Sequence, residues 1–223
     1  MEHYIIKIKS IEQVTHDVIR IVASKPAGFN FVPGQAAELS INKSVWVKEK
    51  RPFTFTSLPT LDFLEFTIKT YPEHDGVTNE MLNLKPGDEL VLHEVFGAIT
   101  YKGEGVFIAG GAGVTPFISI LRDLKAKNEI GKNTLVFSNK TKADIILEKE
   151  FQESLDDSFI NILSEEEIEG YHHGRITKDF LQNILVNLNQ HFYLCGPSPM
   201  IEAVETQLVE LGVDKKFIVK ELF

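Results

Sequence analysis

A glycine-rich turn at residues 110–113, Gly-Gly-Ala-Gly, is the feature of this sequence with the clearest chemistry. It joins a short apolar segment, residues 105–109, to a segment whose apolar residues recur at helical spacing. Glycines let the backbone approach a pyrophosphate, and the N-terminus of the following helix offers N–H groups and partial positive charge. Thr115 can cap that helix, and Pro116 suits its first turn. The turn predicts a dinucleotide site, although a tight turn without a ligand has the same composition.

The turn departs from the ordinary dinucleotide fingerprint. With Gly111 and Gly113 as the first pair of glycines, the third is due at position 116, where the chain has Pro116. This difference argues against a common dehydrogenase.

The elements around the turn read as an α/β unit. From about residue 101 onward, short apolar strands alternate with helical segments, which predicts a parallel sheet covered on both faces. Ligands of such sheets bind at the carboxyl ends of the strands, where Thr115 and Cys195 are expected. Predicted strands cover residues 105–109, 134–138, 159–163, 191–195 and 217–223, and predicted helices cover 145–153, 178–188, 200–211 and the segment after the glycine turn.

The first hundred residues follow a different pattern. Segments rich in Ile, Val, Thr and Phe, several of them separated by turn signals, predict a six-stranded antiparallel β-barrel. We therefore expect two domains, residues 1–100 and residues 101–223. The predicted strands are 4–15, 18–24, 37–42, 51–57, 63–71 and 89–95, with a short helix at 78–84.

Composition narrows the function classes. The formal net charge is -9, which disfavours binding to nucleic acid or to an anionic membrane. The single cysteine, Cys195, excludes an intramolecular disulfide and a four-thiolate iron–sulfur cluster, so we expect any such cluster on a partner. No apolar run is long enough for a membrane span, and the N-terminus does not resemble a signal peptide, so a cytoplasmic protein is expected. We predict no metal site.

A set of motifs in family order resembles the ferredoxin–NADP reductase family, which includes flavodoxin reductases. The turn Gly110–Gly113 with Val-Thr-Pro is followed by Cys-Gly-Pro-Ser-Pro-Met at residues 195–200. Residues 51–57, Arg-Pro-Phe-Thr-Phe-Thr-Ser, resemble the family's Arg-x-Tyr-Ser/Thr flavin motif, with Phe53 in place of the tyrosine. Residues 76–79 resemble its Gly-x-x-Ser/Thr phosphate turn, Pro33-Gly34-Gln35 the turn before the flavin motif, and the final Glu-Leu-Phe its terminal Glu-x-aromatic.

The resemblance implies a set of flavin contacts in the first domain. Arg51 is expected to hold a pyrophosphate, Phe53 to stack on the isoalloxazine ring, and Thr54 to place its hydroxyl near the reactive ring nitrogen. By residue type alone, Arg51 could equally be a surface charge and Phe53 a core residue. The remaining implied flavin contacts are Pro52, the backbone of Ile68 and Lys69, the helix start at Gly76, Val77 and Thr78, and the terminal Phe223.

The resemblance also implies the residues around the transferred hydride. Cys195 is expected beside the nicotinamide, where it shapes and polarises the site, and Glu221 is expected to act with Thr54 and Cys195. A lone cysteine is more often a small buried hydrophobe. The implied nicotinamide dinucleotide contacts are Gly111, Gly113, Thr115, Ser138, Lys140, Cys195, Gly196, Pro197 and Met200.

These motifs predict a flavoprotein oxidoreductase that passes hydride from NAD(P)H to FAD and electrons to an external acceptor. FAD is expected rather than FMN, because the helix start at Gly76 offers a pyrophosphate site. Ser138, Lys140 and Lys142 favour NADPH, while Asp144 leaves NADH open.

Flavodoxin or ferredoxin is the expected acceptor of a monomeric enzyme. Because both are typically acidic, docking needs a local basic patch, for which Lys43, Lys48, Lys50 and Arg51 are candidates. The alternatives are a stand-alone NAD(P)H-flavin reductase or diaphorase, and a nucleotide-binding electron-transfer subunit of a larger complex.

Overall fold

The computed structural model describes residues 3–97 and 99–220. The chain packs into two compact units. The N-terminal unit comprises Met1–Thr100 and Thr115–Asp123, and the C-terminal unit comprises Tyr101–Val114 and Leu124–Phe223. The first turns of the helix after the glycine turn thus pack with the N-terminal unit. The domain boundary near residue 100 stays a prediction.

The N-terminal unit is a six-stranded antiparallel sheet with the order β4-β3-β6-β1-β2-β5. A bridge between Phe55 and Phe66 joins the two edges and closes the sheet into a barrel, which confirms the predicted architecture. The strands are β1 (Tyr4–Thr15), β2 (Val18–Ser24), β3 (Ala36–Ile41), β4 (Arg51–Thr54), β5 (Phe63–Lys69) and β6 (Glu89–Phe96).

Phenylalanine rings fill the barrel. The Phe55 ring is fully buried and stacks on Phe31 with centroids 4.2 Å apart, and it also contacts Phe29 and Phe66. Strand β4 ends at Thr54, three residues before the predicted end, because the chain then crosses to bridge β5 through Phe55.

The helix predicted at 78–84 is α-helical only in its first half. The helical segment begins one residue earlier than expected, and it divides into α1 (Val77–Glu80) and a 3-10 turn, Met81–Asn83. Val77 and Met81 anchor this segment in the barrel core.

The C-terminal unit is a parallel sheet, as predicted, and its strand order is β10-β9-β8-β7-β11-β12. The short strand β10 was not predicted. Helix α3 begins three residues later than expected, because Leu147 has a left-handed φ of 53°. The last strand is described as far as Lys220. The elements are β7 (Gly105–Gly110), α2 (Thr115–Ala126), β8 (Thr134–Asn139), α3 (Glu148–Leu155), β9 (Phe159–Leu163), β10 (His172–His173), α4 (Lys178–Ile184), β11 (His191–Cys195), α5 (Ser198–Glu210) and β12 (Ile218–Lys220).

Tyr193 on β11 anchors the entry of the chain into this sheet. Its ring stacks on Phe107 with centroids 4.4 Å apart. Its hydroxyl accepts a hydrogen bond from the Lys102 N–H at 2.8 Å and donates one to the Gly103 carbonyl at 2.7 Å. Burial raises the pKa of Tyr193 to about 12, so the phenol stays protonated and keeps donating at physiological pH.

Among the described residues, no helix is both long and apolar enough to cross a membrane.

Candidate functional site

The flavin motif begins on β4 and becomes progressively more buried along the chain. Arg51 and Pro52 are exposed, Phe53 and Thr54 are half-buried, and Phe55 points into the core. Arg51 Nη1 donates to the Lys50 carbonyl at 2.7 Å, and Arg51 Nη2 lies 3.6 Å from Glu49. An accessible guanidinium beside a partly exposed aromatic ring is a donor set that fits a pyrophosphate and a flat ring system.

Thr54 and Thr115 are brought together within the N-terminal unit. The Thr115 hydroxyl donates to the Thr54 hydroxyl at 3.4 Å. Helix α2 begins at Thr115, so Thr115 is the first residue of the helix rather than its cap. Thr54, predicted beside the hydride, and Thr115, predicted as a dinucleotide contact, thus share a contact although they are distant in sequence.

The other flavin candidates on β5 are held by the barrel itself. The Ile68 side chain is buried in the core, so only its backbone can reach a ligand. Lys69 Nζ lies 2.7 Å from Asp17 Oδ2. Burial by itself raises the pKa of Asp17, but hydrogen bonds from Lys69 and Thr15 outweigh it and leave that pKa below its usual value.

Gly76 is the N-cap of α1, and it makes no side-chain cap hydrogen bond. Its carbonyl accepts hydrogen bonds from the N–H groups of Asn79 and Glu80, each at 3.0 Å. Glu80 puts a carboxylate in the first turn, and Lys43 pairs with it at 3.0 Å. Hydrogen bonds from Asn83 and Lys43 lower the pKa of Glu80.

The glycine turn lies at the switch point of the parallel sheet, between β7 and β11. Along the chain, β8, β9 and β10 are added on one side of β7, whereas β11 and β12 are added on the other. In this crevice open α/β sheets bind their ligands. The register pairs Gly110 with Ser138 and Ala109 with Cys195, so the candidates on three strands meet at one edge.

The glycines of this edge serve two different purposes. A Cβ at Gly113 would lie 2.3 Å from the Cys195 carbonyl oxygen, and one at Gly110 would lie 2.6 Å from Met200 Sδ. These glycines let two strand ends and α5 pack together. Gly111 has a φ of 51° and would place a Cβ where no protein atom lies within 4 Å. Gly111 is thus the position of the turn that faces open space.

The segment after β11 starts from Cys195, whose thiol is buried and forms no disulfide among the described residues. Gly196 follows with its own close approach to Gly110, and Pro197 is the N-cap of α5. The Met200 side chain packs on the hydrophobic core of the C-terminal unit and fills the space above Gly110 and Gly196. Met200 therefore has a packing role whether or not it also reaches a ligand.

Beside this edge lies a buried amide that the sequence analysis did not single out. Asn139 ends β8 and is 6% exposed, and both its Oδ1 and its Nδ2 lack a hydrogen-bond partner among the described residues. Buried polar groups are nearly always paired, so an unpaired amide at a ligand-binding edge fits a polar ligand. Together with the open space at Gly111, it makes this edge suitable for a nicotinamide dinucleotide.

The lysines predicted to hold a 2′-phosphate face acids of the next loop. Lys140 Nζ lies 3.3 Å from Glu165 Oε1, and the Lys142 N–H donates to Glu166 Oε2 at 2.7 Å. A hydrogen bond with Tyr171 raises the pKa of Lys142. The run of three acids at residues 165–167 was the signal in the sequence, but only the parallel pairing of β8 with β9 brings it to the lysines.

Two candidates, Glu221 and Phe223, lie outside the described residues. Their predicted roles beside the hydride and over the flavin stay predictions.

Comparisons with known proteins agree with the two halves of this description. Residues 3–94 match a family described as "FAD-binding domain", and residues 107–206 match "Oxidoreductase NAD-binding domain". NADH-cytochrome b5 reductase 2 from Mycosarcoma maydis is 30% identical over 220 residues, which cover 88% of this chain and 62% of that protein. The reductase component of propane 2-monooxygenase from Rhodococcus jostii is 30% identical over 238 residues, covering 97% and 62%. This chain thus spans about three fifths of the length of these relatives.

The fold has close counterparts among solved structures. A ferredoxin NADP+ reductase from Neisseria gonorrhoeae with bound FAD and NADP superimposes with a TM-score of 0.85 at 19% identity, covering 99% of this chain and 98% of that one. Fold and domain matches define a flavoprotein with an FAD-binding barrel and a nicotinamide-dinucleotide-binding α/β unit. The chain belongs to the ferredoxin–NADP reductase-like family of flavoprotein oxidoreductases.

Proposed function

We propose that this protein oxidises NADH and delivers the electrons to an external acceptor protein, with FAD as its resident cofactor. FAD supplies the conversion between two-electron hydride chemistry and one-electron transfer. The observation that carries the proposal is the crevice between β7 and β11, where the Gly111 turn and Cys195 end adjacent strands.

In this proposal the protein residues bind the flavin and the nicotinamide dinucleotide and align them with each other. The Gly111 turn offers backbone N–H groups to the dinucleotide pyrophosphate, and Arg51 offers its guanidinium to the flavin pyrophosphate. Phe53 would offer an aromatic face to the flavin ring, and the Thr54 hydroxyl, which accepts a hydrogen bond from Thr115, would be oriented toward it. Cys195 lines the nicotinamide pocket as a small, buried, polarisable group.

We propose NADH rather than NADPH because the charge near the end of β8 is unfavourable to a phosphate. Glu165 already pairs with Lys140, and Glu166 accepts from the Lys142 N–H. Asp144 is engaged with Thr141, whose N–H and hydroxyl donate to Asp144 Oδ2 at 2.8 Å and 2.7 Å. A 2′-phosphate dianion would have to displace Glu165 or lie against it.

We therefore expect Glu165→Gln to raise kcat/KM for NADPH about fivefold, since removing one nearby like charge is worth about 1 kcal/mol in water-exposed surroundings. The value for NADH should change by less than about twofold. Steady-state diaphorase assays with both dinucleotides measure the ratio. Glu169→Gln on the same loop is the control, and an unchanged NADPH to NADH ratio in Glu165→Gln would place the 2′-position elsewhere.

Arg51→Met should weaken FAD binding by about 10- to 100-fold, because a charge-assisted hydrogen bond contributes about 1.5–3 kcal/mol. Titration of the apoprotein with FAD, followed by flavin fluorescence, gives the Kd. Lys48→Met, an exposed cation nearby in the sequence, is the matched control. Equal FAD affinities in Arg51→Met and wild type would show that Arg51 is a surface charge.

For the acceptor, we propose an electron-transfer protein, with ferredoxin and flavodoxin as first candidates. The names of the two relatives support a protein acceptor, cytochrome b5 in one case and a monooxygenase system in the other. The predicted basic docking patch is largely neutralised: Lys43 pairs with Glu80, Lys50 with Glu38 and Arg51 with Glu49. Docking through strong positive charge is therefore not favoured. We also propose a cytoplasmic monomer.

Anaerobic mixing with NADH tests the function. A yellow protein that NADH bleaches, and that then reduces ferredoxin, flavodoxin or cytochrome b5, supports the proposal. A protein that never takes up FAD refutes it. Turnover with free FMN but with no protein acceptor would instead identify a flavin reductase, and co-purification with a partner without diaphorase activity would identify a non-catalytic subunit.

A further inference from the structure

A polar stripe runs along one face of helix α2 and contacts the barrel within the N-terminal unit. Its members are Thr115, Ser119 and Arg122, whose spacing places them on the same side of the helix. Thr115 donates to the Thr54 hydroxyl at 3.4 Å, and the Ser119 hydroxyl accepts from the Gly34 N–H at 2.9 Å. Arg122 Nη1 donates to the Thr56 carbonyl at 2.7 Å and to Glu65 Oε1 at 2.5 Å.

Glu65 is the unusual member of this network. It lies on the face of β5 opposite to Leu64 and Phe66, which fill the barrel core, and it is nevertheless only 6% exposed. Buried carboxylates are rare unless they are paired. Besides Arg122, its Oε1 accepts from the Thr56 hydroxyl at 2.9 Å, while its backbone N–H donates to the Ser57 hydroxyl at 3.1 Å. The ion pair is therefore satisfied in one defined geometry.

This geometry fixes the segment 54–56 against the helix at two points. Thr115 holds the side chain of Thr54, and Arg122 holds the backbone of Thr56, about 10 Å further along the helix axis. A slip or rotation of α2 along the barrel would break both bonds together. A buried ion pair adds little to stability compared with apolar residues of the same size, so its directional bonds are its main distinguishing property.

We propose that Glu65 and Arg122 are a positioning pair for hydride transfer: they align the Thr54 hydroxyl, through Thr56 and helix α2, with the reacting flavin. The inference rests on the proposed function, because Thr54 matters for rate only if flavin reduction occurs there. Neither Glu65 nor Arg122 need touch a cofactor. Misalignment by a fraction of an ångström to one ångström is enough to slow a transfer between held reactants.

The test compares Arg122→Met, Arg122→Lys and Glu65→Gln with wild type in anaerobic single-turnover mixing at saturating NADH. Arg122→Met is expected to slow flavin bleaching about tenfold and Glu65→Gln about threefold, while bound FAD and the apparent NADH Kd stay within about twofold of wild type. Arg122→Lys keeps a donor for Thr56 and should recover most of the lost rate. The matched control is Arg20→Met, which breaks another arginine–glutamate pair of the same unit, Arg20 with Glu12.

The outcomes separate positioning from stability. Wild-type bleaching rates in both Arg122→Met and Glu65→Gln overturn the proposal, as does a rate loss that merely follows lost FAD or a lowered Tm. If Arg122→Met fails to fold, Glu65→Gln with Arg122→Lys decides: Glu65→Gln slowed and Arg122→Lys near wild type supports positioning, and any other combination rejects it. A wild-type protein that NADH does not bleach instead refutes the proposed function.

Discussion

Gly113→Ala is expected to destabilise the C-terminal unit by about 3 kcal/mol or more, because an added methyl group has no room and overpacking usually costs about 1–3 kcal/mol even where neighbours can relax. Here the neighbours are backbone: the new Cβ would lie 2.3 Å from the Cys195 oxygen and 2.6 Å from the Gly196 Cα. The end of β11 must move, and NADH-dependent flavin reduction should be lost with it. Thermal unfolding and bleaching by NADH measure the two effects.

Gly111→Ala is the matched comparison in the same turn. No protein atom lies within 4 Å of its Cβ position, so the expected loss is only the left-handed backbone cost of about 1 kcal/mol. If the turn holds the pyrophosphate, however, the KM for NADH should rise about tenfold. A Gly113→Ala protein with the wild-type Tm would contradict the packing at Cys195, and a Gly111→Ala protein with the wild-type KM would exclude the turn as the phosphate site.

Phe55→Ala is expected to lower the free energy of unfolding of the barrel by about 3–5 kcal/mol, the usual loss for a buried phenylalanine. The Phe55 ring is completely buried among Phe31, Phe29 and Phe66, and its backbone bridges β5 at the closure of the barrel. FAD binding should disappear because the unit that holds it unfolds. Denaturant unfolding of the apoprotein gives the stability directly.

Phe53→Ala, two residues away, should weaken FAD binding directly while leaving the barrel folded. The Phe53 ring is half-buried, so its removal should lower the free energy of unfolding by only about 1 kcal/mol. Loss of stacking on the flavin should weaken FAD binding about tenfold. If Phe53→Ala proved as destabilising as Phe55→Ala, and bound FAD normally, then Phe53 would be a core residue without a flavin role.

The two phenylalanines and the two glycines differ in how much of their role the sequence could predict. The flavin motif and the glycine turn were both recognisable from the chain, since each is a run of neighbouring residues with a characteristic order. Phe55 is fully buried, whereas Phe53 packs against the same core and stays half-buried, and this difference depends on where β4 ends and crosses to β5. Which glycine serves packing depends on Cys195, a residue far along the chain.

The preference between NADH and NADPH also depends on contacts between residues that are distant in sequence. Lys140 and Lys142 read as phosphate ligands when only neighbouring residues are considered. The Lys140 ammonium pairs with Glu165, and the backbone N–H of Lys142 donates to Glu166; both acids follow the next parallel strand. Parallel strands bring together residues separated by a whole crossover, so local composition did not show that the lysines have acidic neighbours.

The sequence by itself determined the class of this protein: an antiparallel flavin barrel followed by a parallel nucleotide sheet, with the family motifs in order. Alternation, helical spacing and turn residues are local properties, and they were sufficient to predict the two sheets. The flavin and nucleotide roles of these sheets followed from the resemblance of the motifs to the family. Only the tertiary structure decided that Gly111 faces open space, that Lys140 pairs with Glu165, and that Arg122 pairs with Glu65. Those contacts depend on strand order and on burial, which bring charges and hydroxyls together across long stretches of chain.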